Sequence, residues 1–370
     1  MSTNAAPLLS AVLDNAQVPH QGLVLIGDAP TFSGLPLFRE ILRRATSRDA
    51  PVLLICALHP PSTLLPGSFT PSTTVLDLTD HIPGYSSDEA WSGVQKRILG
   101  AYSALPQGAQ VFIDAIDVLA EDYSSAAALK LVRALLAAVK ESKAPSRLNL
   151  LLPTSSALYQ TLLSPTHSAT LTLLHPLPPA LVAHLSSQYL APVSSSHAFW
   201  QILENARARR VGETLAYAAA GGMEFATDWS IEGISGTSAG SSRGSTAGAV
   251  VQVLVRKATG GAKGISRSLE GLSSAPETAG SHSVGSPVVP LSVVALETLV
   301  QVNPISGPAT SRPGPDTADG THDALGLPFN LGLTEEQRRR RGDVPIPYAH
   351  EGEGVELGWE EEDDEDDEEI

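Results

Sequence analysis

Gly22-Leu23-Val24-Leu25-Ile26-Gly27-Asp28-Ala29-Pro30-Thr31-Phe32-Ser33-Gly34 runs directly into Leu35-Pro36-Leu37-Phe38-Arg39-Glu40-Ile41-Leu42, and the reading of this stretch decides the fold. Leu23 to Gly27 is too short and too uniformly apolar for a hairpin arm with one wet face, so it reads as a strand covered on both sides. From Leu35 to Arg48 the apolar residues recur at helical spacing, and a Pro stands near the first turn. A strand, a short polar loop and a helix make the first unit of a parallel α/β sheet.

The same alternation continues to about Leu190. Strands are predicted at Val52 to Leu58, Val75 to Leu78, Val111 to Asp114, Leu148 to Leu152 and Leu171 to Leu174. Helices are predicted at Asp88 to Ala104, Ser124 to Lys143, Ser155 to Leu163, Pro179 to Tyr189 and His197 to Ala219. In the helix from Ala126, Leu129, Val132, Leu136 and Val139 fall on one stripe, with Lys130, Arg133 and Lys140 between them. Beyond it, Ser230 to Gly248 is Gly/Ser/Thr-rich and reads as a flexible loop, because it has too little apolar surface to offset the entropy of ordering. Ala249 to Lys257 and Ile265 to Leu272 read as paired strands around a Gly260-Gly261 turn, and Val288 to Val300 as a last, edge strand. The predicted organisation is an N-terminal extension (1–20), an α/β domain (21–300), a linker (301–327), a compact motif (328–348) and a disordered acidic tail (349–370).

A parallel sheet of this kind raises the question of a nucleotide, since the loop after the first strand faces a helix N-terminus. Gly27 to Gly34 lacks the Lys that reaches the phosphates and the Ser/Thr that follows it, and no Gly-Lys pair occurs anywhere in the chain. Asp28 adds negative charge where a triphosphate would already be anionic. Asp114 and Asp117 resemble the magnesium-holding carboxylate at the end of an apolar strand, but without the lysine no catalysis and no cofactor is expected.

Composition narrows the classes further. The formal net charge is −16, but ten acids stand consecutively from Glu360 to Glu369, so the rest of the chain carries only −6. The one cysteine, Cys56, lies inside an apolar run and is expected to be a buried strand residue. The ten histidines show no ligand spacing, so no metal site is expected, and Gly236-Thr237-Ser238-Ala239-Gly240 is a hydrolase-like match inside a Gly/Ser tract where chance matches are common. No apolar stretch approaches the length of a membrane span, and the expected compartment is cytosol or nucleus. Basic residues Arg207, Arg209 and Arg210, and Arg256, Lys257, Lys263 and Arg267, are the available phosphate-backbone contacts; Lys257, Lys263 and Arg267 are the RNA candidates.

Near the C-terminus stands Pro328-Phe329-Asn330-Leu331-Gly332-Leu333-Thr334-Glu335-Glu336-Gln337-Arg338, followed by Val344-Pro345-Ile346-Pro347-Tyr348 and the acidic tail. Phe329, Leu331 and Leu333 alternate with smaller or polar residues, as in a strand added to a sheet edge, and with Tyr348 they are the partner-docking candidates. This motif resembles the C-terminal motif of the fifth-subunit family of the Elongator complex. The resemblance implies a RecA-like fold with a mostly parallel sheet flanked by helices and no working phosphate-binding loop. It further implies a ring with the fourth and sixth subunits, transfer-RNA contact, support of wobble-uridine modification by the catalytic assembly, and residence in cytoplasm and nucleus. Two other readings remain open from the residues alone: an inactive recombination mediator that binds DNA and a recombinase, and an NTPase with a non-standard phosphate loop.

Overall fold

The computed structural model describes residues 7–65, 70–85, 89–216, 248–259, 264–274 and 290–300. All of them fall within one compact unit, Met1–Ser306. The acidic tail, the 328–348 motif, the 301–327 linker, the glycine-flanked serine at 238 and almost all of the 230–248 loop lie outside the described residues.

Nine strands form one sheet in the spatial order β3-β2-β4-β5-β1-β6-β7-β8-β9. They are β1 (Leu23–Asp28), β2 (Val52–Cys56), β3 (Thr73–Asp77), β4 (Gln110–Ile113), β5 (Arg147–Pro153), β6 (Leu171–Leu177), β7 (Gly248–Arg256), β8 (Ile265–Ser274) and β9 (Leu291–Val294). The first six are parallel to their neighbours, with Leu25 opposite Leu150 on one side and Leu173 on the other. From β6 onward the pairing is antiparallel, Leu173 opposite Leu254 and Val253 opposite Ser268.

Period-two alternation distributes each central strand between two cores. Leu23 and Leu25 of β1 and Leu53 and Ile55 of β2 point to one face; Val24, Ile26, Val52, Leu54 and Cys56 point to the other. The first face is covered by α4 (Trp91–Ser103), α5 (Ile116–Asp122), α6 (Ser125–Glu141) and α7 (Ala157–Leu163), and the second by α1 (Leu8–Leu13), α2 (Leu35–Ser47) and the single turn α3 (Pro61–Leu64). Each fully buried Leu or Ile contributes roughly 1.5–3 kcal/mol relative to exposure, so the two faces together outweigh any local propensity. Cys56 is buried as expected, and burial pushes its thiol well above the ordinary range, which keeps it unreactive.

The helix α6 shows how the sequence produces this packing. Ser124 accepts the Ala127 N–H at 3.1 Å as the cap, and Ala128, Leu131, Val132, Leu135, Leu136 and Val139 form the buried stripe. Leu129, expected within the stripe, sits at its margin and is only partly buried.

A third cluster covers the far end of the sheet, where α8 (Pro179–Gln188), α9 (His197–Ala208) and α10 (Val211–Ala216) pack Leu181, Val182, Leu185, Phe199, Trp200 and Leu203 around Leu177 and Val250. The continuous helix expected over 197–219 is interrupted here. Arg210 adopts φ +52°, a left-handed conformation that ends the α-helical ladder after Ala208. The one nearby breaker, Gly212, falls two residues on, inside α10, so it does not mark the break itself.

Two further expectations are revised. The segment ahead of the sheet does not stand outside the domain: Leu9, Val12 and Leu13 of α1 are buried, and Arg147, itself fully buried, donates to the Val12 carbonyl at 2.5 Å and to Gln110 at 2.9 Å. The stretch 288–300 is not a single strand. Within its described residues, 290–300, β9 occupies the sheet edge and a one-turn helix α11 (Leu296–Leu299) follows.

Candidate functional site

Two places at the carboxyl ends of the central strands bear on function, and both are built around the end of β1.

The first is the corner where a nucleotide triphosphate would bind. The chain leaves β1 at Asp28, turns back on itself through an Ala29–Phe32 bridge, and enters α2 after Gly34. Asp28 Oδ1 accepts the Gly34 N–H at 2.6 Å and the Ser33 hydroxyl at 2.9 Å, and Ser33 Oγ in turn accepts the Leu35 N–H at 3.1 Å. The electropositive end of α2, which would otherwise attract a phosphate, holds a carboxylate of its own chain. Gly34 is required for this closure. A Cβ there would come within 2.5 Å of the Gly27 carbonyl oxygen, so only glycine lets the helix start approach the strand so closely.

Asp114, just past β4, is used in the same way. Its carboxylate accepts backbone N–H groups from Ala57 at 2.6 Å, Leu58 at 3.1 Å and His59 at 2.6 Å, and the His59 imidazole lies 3.1 Å from Oδ2. The side chain is fully buried. The expected likeness to a magnesium-holding carboxylate is therefore corrected for Asp114: it organises the turn after β2. Asp117 begins α5, and its carboxyl pKa is raised, chiefly by burial and also by the charges of Glu121, Asp28 and Asp114, with no cation among the causes. A corner of carboxylates without a lysine disfavours a polyphosphate by simple Coulomb repulsion.

The second place is a cavity of about 580 Å³ beyond the ends of β1, β5 and β6. Its floor is the β1–α2 loop and the β5–α7 loop, and α8, α9 and α10 form its wall. Among the described residues, three polar atoms in this region are buried without a hydrogen-bond partner: Tyr159 Oη, His175 Nδ1 and one terminal guanidinium nitrogen of Arg207. Burial pushes the Tyr159 phenol up to about 12 and the His175 imidazole down to about 3, the latter helped by the nearby Arg207 charge, so both rings are neutral at ordinary pH. Arg207 is paired with Glu204, whose other oxygen accepts from Gln252 at 2.8 Å. Tyr159 and His175 had no sequence motif to flag them. The one available signal was a polar His-Pro pair ending the apolar run that starts at Leu171.

The basic residues separate on inspection. Arg256 is consumed structurally, donating to the carbonyls of Leu163, Ser168 and Ala169. Arg267 projects from β8 with its guanidinium 5.6 Å from the Trp200 ring and 3.2 Å from His197 Nδ1, and remains exposed. Lys257 follows β7, half-buried, its N–H donating to the Gly264 carbonyl. Lys263 and the docking candidates Phe329, Leu331, Leu333 and Tyr348 lie outside the described residues. Among the described residues no group of three His, Cys, Asp or Glu side chains is placed to hold a metal, and no helix is long and apolar enough to cross a membrane.

A parallel sheet in which β5 stands between the loop-bearing β1 and the Asp114-bearing β4, extended by antiparallel strands beyond β6, defines a RecA-like domain, here with its phosphate corner closed from within. The sequence profile of the Elongator subunit Iki1 family matches residues 8–360, and the chain belongs to that family. No curated protein matches it by sequence search. Among solved structures it is similar to a KaiC-like protein from the hyperthermophilic archaeon Pyrococcus horikoshii, at 12% identity over 43% of this chain and 74% of that one, with a TM-score of 0.30. The fold class rests on the strand order and not on that distant likeness.

Proposed function

We propose that this Elongator subunit is non-catalytic, that it joins the fourth and sixth subunits in a RecA-like ring, and that the ring binds transfer RNA and supports carboxymethyl-type modification of the wobble uridine, U34, in cytoplasm and nucleus. The observation that carries the reading is the occupation of the α2 N-terminus by Asp28, in a chain whose family is an Elongator subunit family. A domain that has closed its nucleotide corner retains sheet edges and loops for side-by-side packing, which is the use left to it in an assembly. Within the ring, Phe329, Leu331, Leu333 and Tyr348 dock on a neighbouring subunit, and Lys257, Lys263 and Arg267 contact the RNA backbone.

One experiment tests the proposal as a whole. The tagged full chain is recovered from cells with its partners, which are identified by mass spectrometry, and the assembly is assayed for ATP turnover and transfer-RNA binding. The expected result is recovery with the fourth and sixth subunits, U34 modification lost on deletion of the chain, ATP turnover unaffected by Asp114→Asn, and a salt slope of RNA binding that flattens by up to about 0.7–0.9 per cation removed. Recovery with a recombinase, or a stable monomer that ignores both Elongator partners, overturns it.

A further inference from the structure

The two edges of the sheet are finished differently. At β9 the chain closes its own edge: the Leu291 N–H donates to Glu40 Oε2 at 3.3 Å and the Leu291 carbonyl accepts from Arg44 at 2.9 Å, both side chains coming from α2. At β3, on the opposite edge, no strand of the described residues pairs on the outer side. The Val52 N–H donates to the Ser72 carbonyl and the Leu78 N–H to that of Cys56, so the parallel ladder to β2 uses Ser72, Thr74, Leu76 and Leu78. The N–H groups of Val75 and Asp77 and the carbonyls of Thr73 and Val75 therefore face away from β2.

The residues of β3 do not blunt this edge. Exposed edges are guarded by Lys, Pro or a bulge, yet Thr73-Thr74-Val75-Leu76-Asp77 contains neither residue and keeps an unbroken register with β2, from Val52 opposite Thr73 to Cys56 opposite Asp77. Val75 packs on one core and Leu76 on the other, both only partly buried, whereas β2 and β4 are buried throughout. This is the composition of an inner strand of a parallel sheet, placed at the rim.

The surface at the carboxyl ends of β2 and β3 is apolar. Leu58, two residues past β2, is 56% exposed, and Ile82 and Tyr85, past β3, are 48% and 88% exposed. A turn presents the last two: the Tyr85 N–H donates to the Ile82 carbonyl at 3.1 Å, and Gly84 takes φ +76° between them. The connecting chain is acidic. From Thr73 to Glu89 it carries Asp77, Asp80, Asp88 and Glu89 and no Lys or Arg. Arg97 of α4 engages Glu89 at 3.3 Å, and Asp77 is exposed at the strand end, where it accepts the N–H and the hydroxyl of Thr79.

We propose that β3 is the docking edge for an extended segment of a neighbouring ring subunit, which adds as a further strand, sets apolar side chains against Leu58, Ile82 and Tyr85, and brings Lys or Arg to Asp77. The backbone groups call for a strand, the exposed side chains for an apolar one, and the acids for a basic flank. The inference rests on the ring reading above for the source of the segment, and adds which edge of this chain receives it.

The test is hydrogen exchange and partner recovery on the full chain, alone and assembled with the fourth and sixth subunits. In the assembly the Val75 and Asp77 amides should exchange at least about tenfold more slowly than in the chain alone. Val75→Pro removes an N–H that β2 does not use, so the sheet should persist while recovery of the two subunits falls about tenfold. Leu58→Ser combined with Tyr85→Ser leaves the backbone untouched and should lower recovery about threefold, which decides the matter if Val75→Pro does not fold. Equal exchange in the two states, or recovery unchanged by the serine pair, overturns the proposal. So does slow exchange already in the chain alone, which would mean that the chain covers its own edge, or a homodimer that Val75→Pro separates. A wild-type chain recovered without either subunit overturns the ring reading itself, and this inference with it; wild-type assembly with unprotected amides overturns this inference alone.

Discussion

The corner under α2 and the cavity under α9 flank the same strand end, and they differ in how far the chain supplies partners for its own polar groups. In the corner, Asp28 accepts the Gly34 N–H at the start of α2 and Asp114 gathers three backbone N–H groups, while Asp117 Oδ1 is buried without a partner among the described residues. Beside the cavity, Tyr159 Oη and His175 Nδ1 are buried without a hydrogen-bond partner among the described residues. A helix start is closed to an incoming anion when a carboxylate of the same chain already occupies it, whatever the shape of the surrounding fold.

The sharpest way to break this contrast is at Asp114. Replacing it by Ala strands the buried Ala57 N–H and the partly buried N–H groups of Leu58 and His59, and the expected loss is about 2–4 kcal/mol of folding stability by urea denaturation. A loss under about 1 kcal/mol would mean that water reaches the corner and that it is not closed.

Next in size is an acid effect from the cavity side. Folding holds the His175 imidazole at about 3, below its ordinary 6.5, so the unfolded chain takes up the proton first as pH falls. Its contribution is complete above pH about 6.5 and is lost progressively toward pH about 3. Between pH 6.5 and 4.5 the wild-type chain should lose on the order of 2–3 kcal/mol more than His175→Gln, read from denaturation curves at the two pH values. Parallel pH profiles would show that the imidazole is solvated and that the cavity floor is wet.

The smallest effect is expected at Asp28. Ala at this position removes the acceptor of the Gly34 N–H and the Ser33 hydroxyl and costs about 1 kcal/mol, measured by thermal unfolding. ATP should still fail to stabilise the variant, because unblocking the helix end supplies no lysine. Stabilisation by ATP would show that the carboxylate alone had closed the corner.

Much of the sheet was legible because its signal is local. Leu23 to Gly27 and Val52 to Cys56 declare buried strands by composition, and α6 declares itself by its Ser124 cap and its apolar stripe. The missing phosphate-loop lysine was equally plain. The break at Arg210 was not legible, since the nearest breaker, Gly212, lies two residues beyond it inside the next helix, and the insertion of α1 into the core was missed because six residues are too few to show a period. Asp114 was legible as a carboxylate at a strand end but not in its role. Three N–H donors from the turn after β2, some 55 residues earlier in the chain, make it structural.

By itself, then, the sequence determined the alternating architecture, the absence of phosphate-binding lysine chemistry and the likeness to an Elongator subunit family, because each is written in neighbouring residues. Only the tertiary structure decided that Asp28 turns inward to cap α2 and that Tyr159, His175 and Arg207, from three separate elements, surround one cavity. Both outcomes depend on which side chains the fold brings within hydrogen-bond reach and which buried groups it leaves without a partner, and neither quantity exists until the strands have paired.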